Sequence, residues 1–220
     1  MKIIALTDIH AHNIYCEPLV DDISQADLVI LAGDITHFGK IAHLQIVLNK
    51  IRSINAKILA IHGNCDFPEV LEELQNENLS LHGEVKSVNG IQLLGIGGSL
   101  PCPGITPSEY SEQEIKEILD DSAGRLEQES NFIFISHQPP HNTFNDMLTS
   151  GAHVGSKSIR SFIKKHQPLA CITGHIHEGA GIDQIGRTKI VNPGPFRVGN
   201  YLSLEVDKDQ LKINLRKCSA

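Results

Sequence analysis

Short runs of Ile, Leu, Val and Phe recur along this chain at Ile3–Leu6, Leu28–Ala32, Ile58–Ile61, Ile91–Leu94, Phe132–Ile135 and Leu169–Ile172, with amphipathic stretches between them. Runs of strand length that alternate with helical spacing describe an α/β domain. Helical spacing is read from Val20 and Ile23, from Ile41, Leu44, Val47, Leu48 and Ile51, and from Val70, Leu71 and Leu74 after the break at Pro68. Ser111 followed by Glu114 is a capping-box pattern that opens a further helix through Ile115, Ile118 and Leu119. Beyond His175 the pattern changes to strands at Ile182–Ile185, Thr188–Val191, Tyr201–Val206 and Leu211–Leu215, divided by Gly, Asp and Asn turns, which predicts an antiparallel meander. The segment Gly97–Tyr110 is broken by Pro101, Pro103 and Pro107 yet is too apolar for a linker, and reads as a loop over a site. No internal repeat or boundary divides the chain, so residues 1–220 are expected to form one domain.

The 19 Lys and Arg against 26 Asp and Glu leave a formal charge of −7, which opposes condensation on a nucleic-acid backbone or an anionic bilayer. Apolar runs stop well short of the ~20 residues that span a membrane, and Asp8 interrupts the N-terminal run too early for a signal peptide. A cytoplasmic protein is expected. Its cysteines, Cys16, Cys65, Cys102, Cys171 and Cys218, are widely spaced with no Cys-x-x-Cys pair and read as reduced thiols. The 12 histidines carry more weight, because neutral imidazole is the commonest metal ligand among side chains.

Five of the apolar runs end in a residue able to bind a metal or a phosphate: Leu6-Thr7-Asp8, Ala32-Gly33-Asp34, His62-Gly63-Asn64, Ile135-Ser136-His137 and Thr173-Gly174-His175. Singly, each polar residue is an ordinary turn or cap residue. Together they point to one place, since ligands of α/β sheets bind outside the carboxyl ends of the strands. The glycines before Asp34, Asn64 and His175 suit a backbone that crowds a centre. Asp8 with His10, and His175 with His177, stand at i, i+2 spacing, which aims both members of a pair one way if the strand persists. Asp8, His10, Asp34, Asn64, His137, His175 and His177 supply nitrogen and oxygen without thiolate, a set suited to Mn, Fe, Co, Ni or Zn. Seven ligands exceed one tetrahedral site, so two ions sharing a carboxylate is the economical arrangement.

These pieces resemble the calcineurin-like metallophosphoesterases, whose pattern is D-x-H, G-D, G-N-H-[DE], H and G-H-x-H in that order. Here they stand as Asp8-Ile9-His10, Gly33-Asp34, Gly63-Asn64-Cys65-Asp66, His137 and Gly174-His175-Ile176-His177, and the match runs on to the Asn192-Pro193-Gly194 turn. The resemblance implies a four-layer α/β/β/α sandwich, two mixed sheets flanked by helices. It also implies one ion on Asp8, His10 and His177, a second on Asn64, His137 and His175, and Asp34 bridging both. Asn64 and His175 are then placed to meet substrate as well.

The chain departs from the commonest pattern at Cys65, where many members carry the histidine that donates a proton to the leaving group. Gly63-Asn64-Cys65-Asp66 is similar to a smaller, phosphodiesterase-like branch. Cys65, Asp66 and His37 are the candidates for catalytic support: Asp66 by orienting a ligand histidine, and His37 because it follows Asp34 closely. His12, His62 and His141 also neighbour motif residues and read as surface or packing. Cys16, Cys102, Cys171 and Cys218 are read as packing alone.

The activity expected is hydrolysis of a small phosphodiester by water that two divalent ions activate. Asp8 and Asp34 contribute about −2 against about +4 from two such ions, which leaves a cationic hole for a phosphate. A phosphomonoesterase or protein phosphatase would want extra cationic groups, and Arg160, Arg187 and Arg197 are the donors available late in the chain. A non-catalytic scaffold of the same fold, as in the retromer subunit, would be expected to lack part of the ligand set. Oligomeric state has no signature in the sequence.

Overall fold

Alternate side chains of strand β1 (Lys2–Leu6) enter two different cores, because successive residues of a strand point to opposite faces. The computed structural model describes residues 1–12, 16–55, 57–127, 131–208 and 210–218. Ile4 and Leu6 join Val29 and Leu31 of β2 (Leu28–Ala32) and Ile58 and Ala60 of β3 (Ile58–Ile61). This face packs on α1 (Glu17–Ser24), α2 (Ile41–Arg52) and α3 (Pro68–Asn76) through Leu19, Ile23, Leu44, Val47, Leu48, Ile51, Val70 and Leu74. Ile3 and Ala5 turn the other way with Leu28, Ile30 and Ile61, onto Leu93, Ile133, Ile135 and Ile172 of a second sheet. The far face of that sheet, Leu94, Phe134 and Cys171, is covered by α4 (Glu112–Ala123) and α5 (Lys157–His166). Helix, sheet, sheet and helix thus form the four layers that the resemblance implies.

The second sheet contains β4 (Val85–Val88), β5 (Ile91–Ile96), β6 (Phe132–Ser136), β7 (Ala170–Thr173), β8 (Gly181–Ile185) and β9 (Thr188–Asn192), in the order β4-β5-β6-β7-β9-β8. The first is completed by β10 (Asn200–Asp207) and β11 (Gln210–Lys217), in the order β11-β10-β1-β2-β3. Strands β1, β2 and β3 run parallel, as do β5, β6, β7 and β9, so each sheet presents several carboxyl ends at one edge. The capping box is present at α4, where Ser111 accepts from the Glu114 N–H. Helix α5 and strand β4 were not foreseen, although Ile159, Phe162 and Ile163 have the i, i+3, i+4 spacing of a buried helical face.

The meander expected after His175 is corrected. The β8–β9 and β10–β11 pairs are antiparallel, but β9 also lies parallel to β7, and β10 pairs with β1 in the other sheet. Pro193 and Pro195 stand between the pairs and lack the N–H groups that would extend a ladder, and here the chain crosses from one sheet to the other.

A second correction concerns the thiols. Cys16 and Cys218 form a disulfide that ties the start of α1 to the end of β11, across a sequence separation of 202. Wide spacing concealed it because β1 and β10 pair directly and bring the two ends of the chain together. Cys65, Cys102 and Cys171 are free. Closing so long a loop restricts the unfolded chain strongly, so the Cys16→Ser exchange, or a reductant, is expected to cost about 2–5 kcal/mol of stability. Urea midpoints measured with and without dithiothreitol check this, and identical midpoints would contradict it.

Candidate metal centre

Strand β1 ends before the first motif, and left-handed backbone takes over. Asp8, His10 and Ala11 have φ of 52°, 49° and 58°, and the strand persistence expected to aim Asp8 and His10 is absent. A loop-to-loop ladder holds them instead: the N–H groups of Asp8, His10 and Ala11 donate to the carbonyls of Gly33, Asp34 and Ile35 at 3.1, 2.9 and 3.0 Å. Asp34 and His175 are left-handed too, at 47° and 65°, a conformation that costs energy and concentrates at functional sites. The glycines have the role expected of them. A Cβ on Gly63 would overlap the Asp34 carboxylate, and one on Gly174 would overlap Thr7 and Asp8.

The seven candidate ligands come together at the carboxyl ends of both sheets. One donor atom from each residue lies within 4.8 Å of the others in three sets, Asp8/His10/His177, His10/Asp34/Cys65 and Asp8/Asp34/His137. Asp34 faces two ways. Its Oδ2 is 3.8 Å from His10 Nε2, and its Oδ1 is 3.5 Å from His137 Nε2. His177 Nε2 lies 3.3 Å from Asp8 Oδ1, and its ring is 5.9 Å from that of His10. On the other side Asn64 Oδ1 is 3.1 Å from His137 Nε2, and the His137 and His175 rings are 5.3 Å apart. His137 Nδ1 donates to the Ala32 carbonyl at 2.9 Å, which aims Nε2 inward, the outer hydrogen bond typical of metal-bound histidine.

Burial and charge act against each other here. Burial disfavours an ionised Asp34, but the charge and hydrogen bond of His137, together with His10 and the Cys65 N–H, hold its carboxyl far below the usual range. Burial likewise opposes a charged His137, yet Asp34 and Asp8 push it up to about 9. The proton on His137 therefore offsets carboxylate charge in the metal-free protein. Burial, reinforced by His137, lowers His175 to about 4, and burial also lowers His10. Concentrated buried carboxylate and neutral imidazole fit a divalent transition metal by donor chemistry.

The other candidates separate. Cys65 touches the centre through its N–H, which donates to Asp34 Oδ1 at 2.8 Å, while burial and the Asp34 charge raise its thiol well above the usual range. Its thiol is therefore protonated. His37 Nδ1 lies 3.4 Å from His10 Nδ1 on the exposed side. Asp66 does not orient a ligand histidine as expected: its carboxylate accepts from the N–H groups of Ile35, Thr36 and Gly63 and from the Thr36 hydroxyl. Four short donors leave it no free edge, and it fastens the loop after Asp34 to the loop before Asn64. His12 is exposed, and His141 lies against Asp146. His62 is buried with its Nε2 3.1 Å from the Tyr110 hydroxyl.

The Gly97–Tyr110 loop does sit on the site. Its Ser108 N–H donates to the Asn64 carbonyl, its Ser108 hydroxyl donates to the Asp66 carbonyl, and Cys102 Sγ is 3.7 Å from His175 Nε2. Cys102 was read as packing only, because its neighbour His175 is 73 residues away and no local pattern links them.

Two sheets that bring this donor set together at their carboxyl ends form a candidate centre for divalent-metal chemistry. The calcineurin-like phosphoesterase model matches residues 1–179, and the chain belongs to that family. An uncharacterised protein of Methanocaldococcus jannaschii is 40% identical over 202 residues, covering 89% of this chain and 88% of its own. A protein of Vesicomyosocius okutanii named "Probable cyclic nucleotide phosphodiesterase" is 25% identical over 204 residues, covering 86% and 81%. Among solved structures, a dimetal phosphatase from Danio rerio superposes with a TM-score of 0.69 at 11% identity, covering 100% of this chain and 96% of its own, a likeness of fold. Among the described residues no helix is long and apolar enough to cross a membrane.

Proposed function

We propose that the protein is a dinuclear metal-dependent phosphodiesterase acting on a small substrate. The observation that carries this reading is the Asp34 carboxylate, whose two oxygens face His10 on one side and His137 on the other. Asp8, His10 and His177 would hold one ion and Asn64, His137 and His175 the other, with Asp34 between them, and the ions would be Mn, Fe, Co, Ni or Zn. Two such ions would supply a lowered water pKa and positive charge for the phosphoryl oxygens. The chain's part is to fix the geometry. His137 is held by the Ala32 carbonyl, Asn64 by the Ser108 N–H at its own carbonyl, and Asp8 by the Thr7 hydroxyl at 2.8 Å. Asn64 and His175 would also meet the phosphate, and Cys102 of the Gly97–Tyr110 loop stands beside His175, its Sγ 3.7 Å from Nε2.

The diester preference is supported by Gly63-Asn64-Cys65-Asp66, by the net charge of −7 and by the naming of the Vesicomyosocius relative. Residues 1–220 are proposed as one domain, since β1 and β10, near opposite ends of the sequence, are paired neighbours. A cytoplasmic setting is proposed with it. That setting keeps most thiols reduced, so a Cys16–Cys218 disulfide found intact in freshly lysed cells by alkylation would contradict the location.

The functional test is a panel of aryl and alkyl diesters and monoesters with each candidate metal. Metal-dependent diester hydrolysis is expected, lost in His137→Ala and His175→Ala variants that keep the wild-type circular dichroism. Faster turnover of monoesters would move the assignment to a phosphomonoesterase or protein phosphatase. No turnover of either class by metal-loaded protein would support a scaffold instead.

A further inference from the structure

Three arginines stood out in the sequence as possible anion donors, and the fold distinguishes among them. Arg160 donates to the carbonyls of His141 and Asn142 at 2.8 and 2.9 Å, and Arg187 donates to the Gln167 carbonyl at 3.1 Å. Arg197 lies at the metal centre. Its Nη2 is 3.2 Å from His177 Nδ1, on an exposed side of the site. The turn that carries it is fastened to both ligand loops: Phe196 and Arg197 donate their N–H groups to the carbonyls of Thr7 and Asp8 at 2.9 and 3.4 Å, and the Asn192 amide donates to the Ile176 carbonyl at 2.9 Å. The backbone of Arg197 is thus held in place whatever its side chain does.

The Arg197 guanidinium therefore stands beside a candidate metal ligand, on the open side of the centre, and presents a planar, permanently charged fork there. That fork matches phosphoryl oxygens better than any other side chain does.

We propose that Arg197 is the phosphoryl-recognition residue of this site, its guanidinium placed at the open side of the centre by a turn fastened to both ligand loops. The inference rests on the dinuclear reading above and names the side chain that meets the phosphoryl group there.

The test is calorimetry of Mn²⁺ into wild type, Arg197→Gln and Arg197→Lys, followed by inorganic phosphate into each metal-loaded protein. Arg197→Gln is expected to bind Mn²⁺ as wild type does, since Arg197 belongs to neither ligand set, while its phosphate affinity falls about tenfold or more. Arg197→Lys should retain part of the phosphate affinity through its charge alone. Equal phosphate affinity in wild type and Arg197→Gln, or no phosphate binding by metal-loaded wild type, would overturn the inference and leave the metal centre standing. Loss of Mn²⁺ binding in Arg197→Gln would also overturn it, by making the residue structural. A wild type that binds no Mn²⁺ would overturn the dinuclear reading itself and the inference with it.

Discussion

Asp34→Asn is expected to abolish metal-dependent hydrolysis while leaving the far-ultraviolet circular dichroism unchanged. The exchange keeps the shape of the side chain but replaces one of two charged oxygens with an amide nitrogen, which cannot ligate as the carboxylate does. Residues that merely orient metal ligands typically contribute 10–100-fold to affinity or activity, so loss of the shared ligand should exceed roughly 100-fold. Wild-type metal binding should also depend on pH in a defined direction. Asp34 and Asp8 hold the buried His137 protonated up to about 9. An ion must displace that proton, so affinity should rise roughly tenfold per pH unit from pH 7 towards 9 and then level off. Burial also lowers His10 and, with His137, brings His175 to about 4, so His175 has no proton to release at pH 7. Calorimetry in buffers of different ionisation enthalpy counts the protons released, and a flat affinity from pH 7 to 9 would contradict this balance.

The second large effect concerns the leaving group. An alkoxide needs a proton far more than a nitrophenolate does, and a positioned general acid typically contributes 10²–10⁴-fold. Cys65 is poorly suited to that task. Burial and the neighbouring Asp34 charge keep its thiol protonated, sulfur is a weak donor, and a thiol lacks the positive charge of an imidazolium. Rates should therefore fall steeply as the leaving group becomes more basic, and Cys65→His should flatten the dependence by accelerating alkyl esters most. His37, 3.4 Å from His10 on the open side, is the rival donor. Rates against leaving-group pKa for wild type, Cys65→Ala, Cys65→His and His37→Ala decide between them. A shallow wild-type slope that steepens in His37→Ala would assign the proton to His37.

Much of this site was legible because its chemistry is written at strand ends. A run such as Leu28–Ala32 identifies itself by length and composition, and the residue that follows its glycine inherits a position in space. Asp8, Asp34, Asn64, His137 and His175 could be read in that way. What escaped was set by contacts between distant segments. Asp66 looked like a partner for a ligand histidine, but its place beside Ile35, Thr36 and Gly63 depends on how two loops meet. Cys102 reaches His175, and Cys16 reaches Cys218, only because of the order of strands in the sheets. The meander failed for a related reason, since turn residues announce a reversal without naming the sheet that the next strand will join. The i, i+2 pairs illustrate a further limit: Asp8 and His10 do share a centre, but left-handed backbone brings them there instead of an extended strand.

Elemental analysis of the metal-replete wild-type protein, purified without chelator, tests the dinuclear centre most directly. Two divalent transition ions per chain are expected, with both lost in Asp34→Ala and one chiefly weakened in His10→Ala. One tightly held ion per chain, or none, would contradict the assignment of Asp34 as a bridge between two sites.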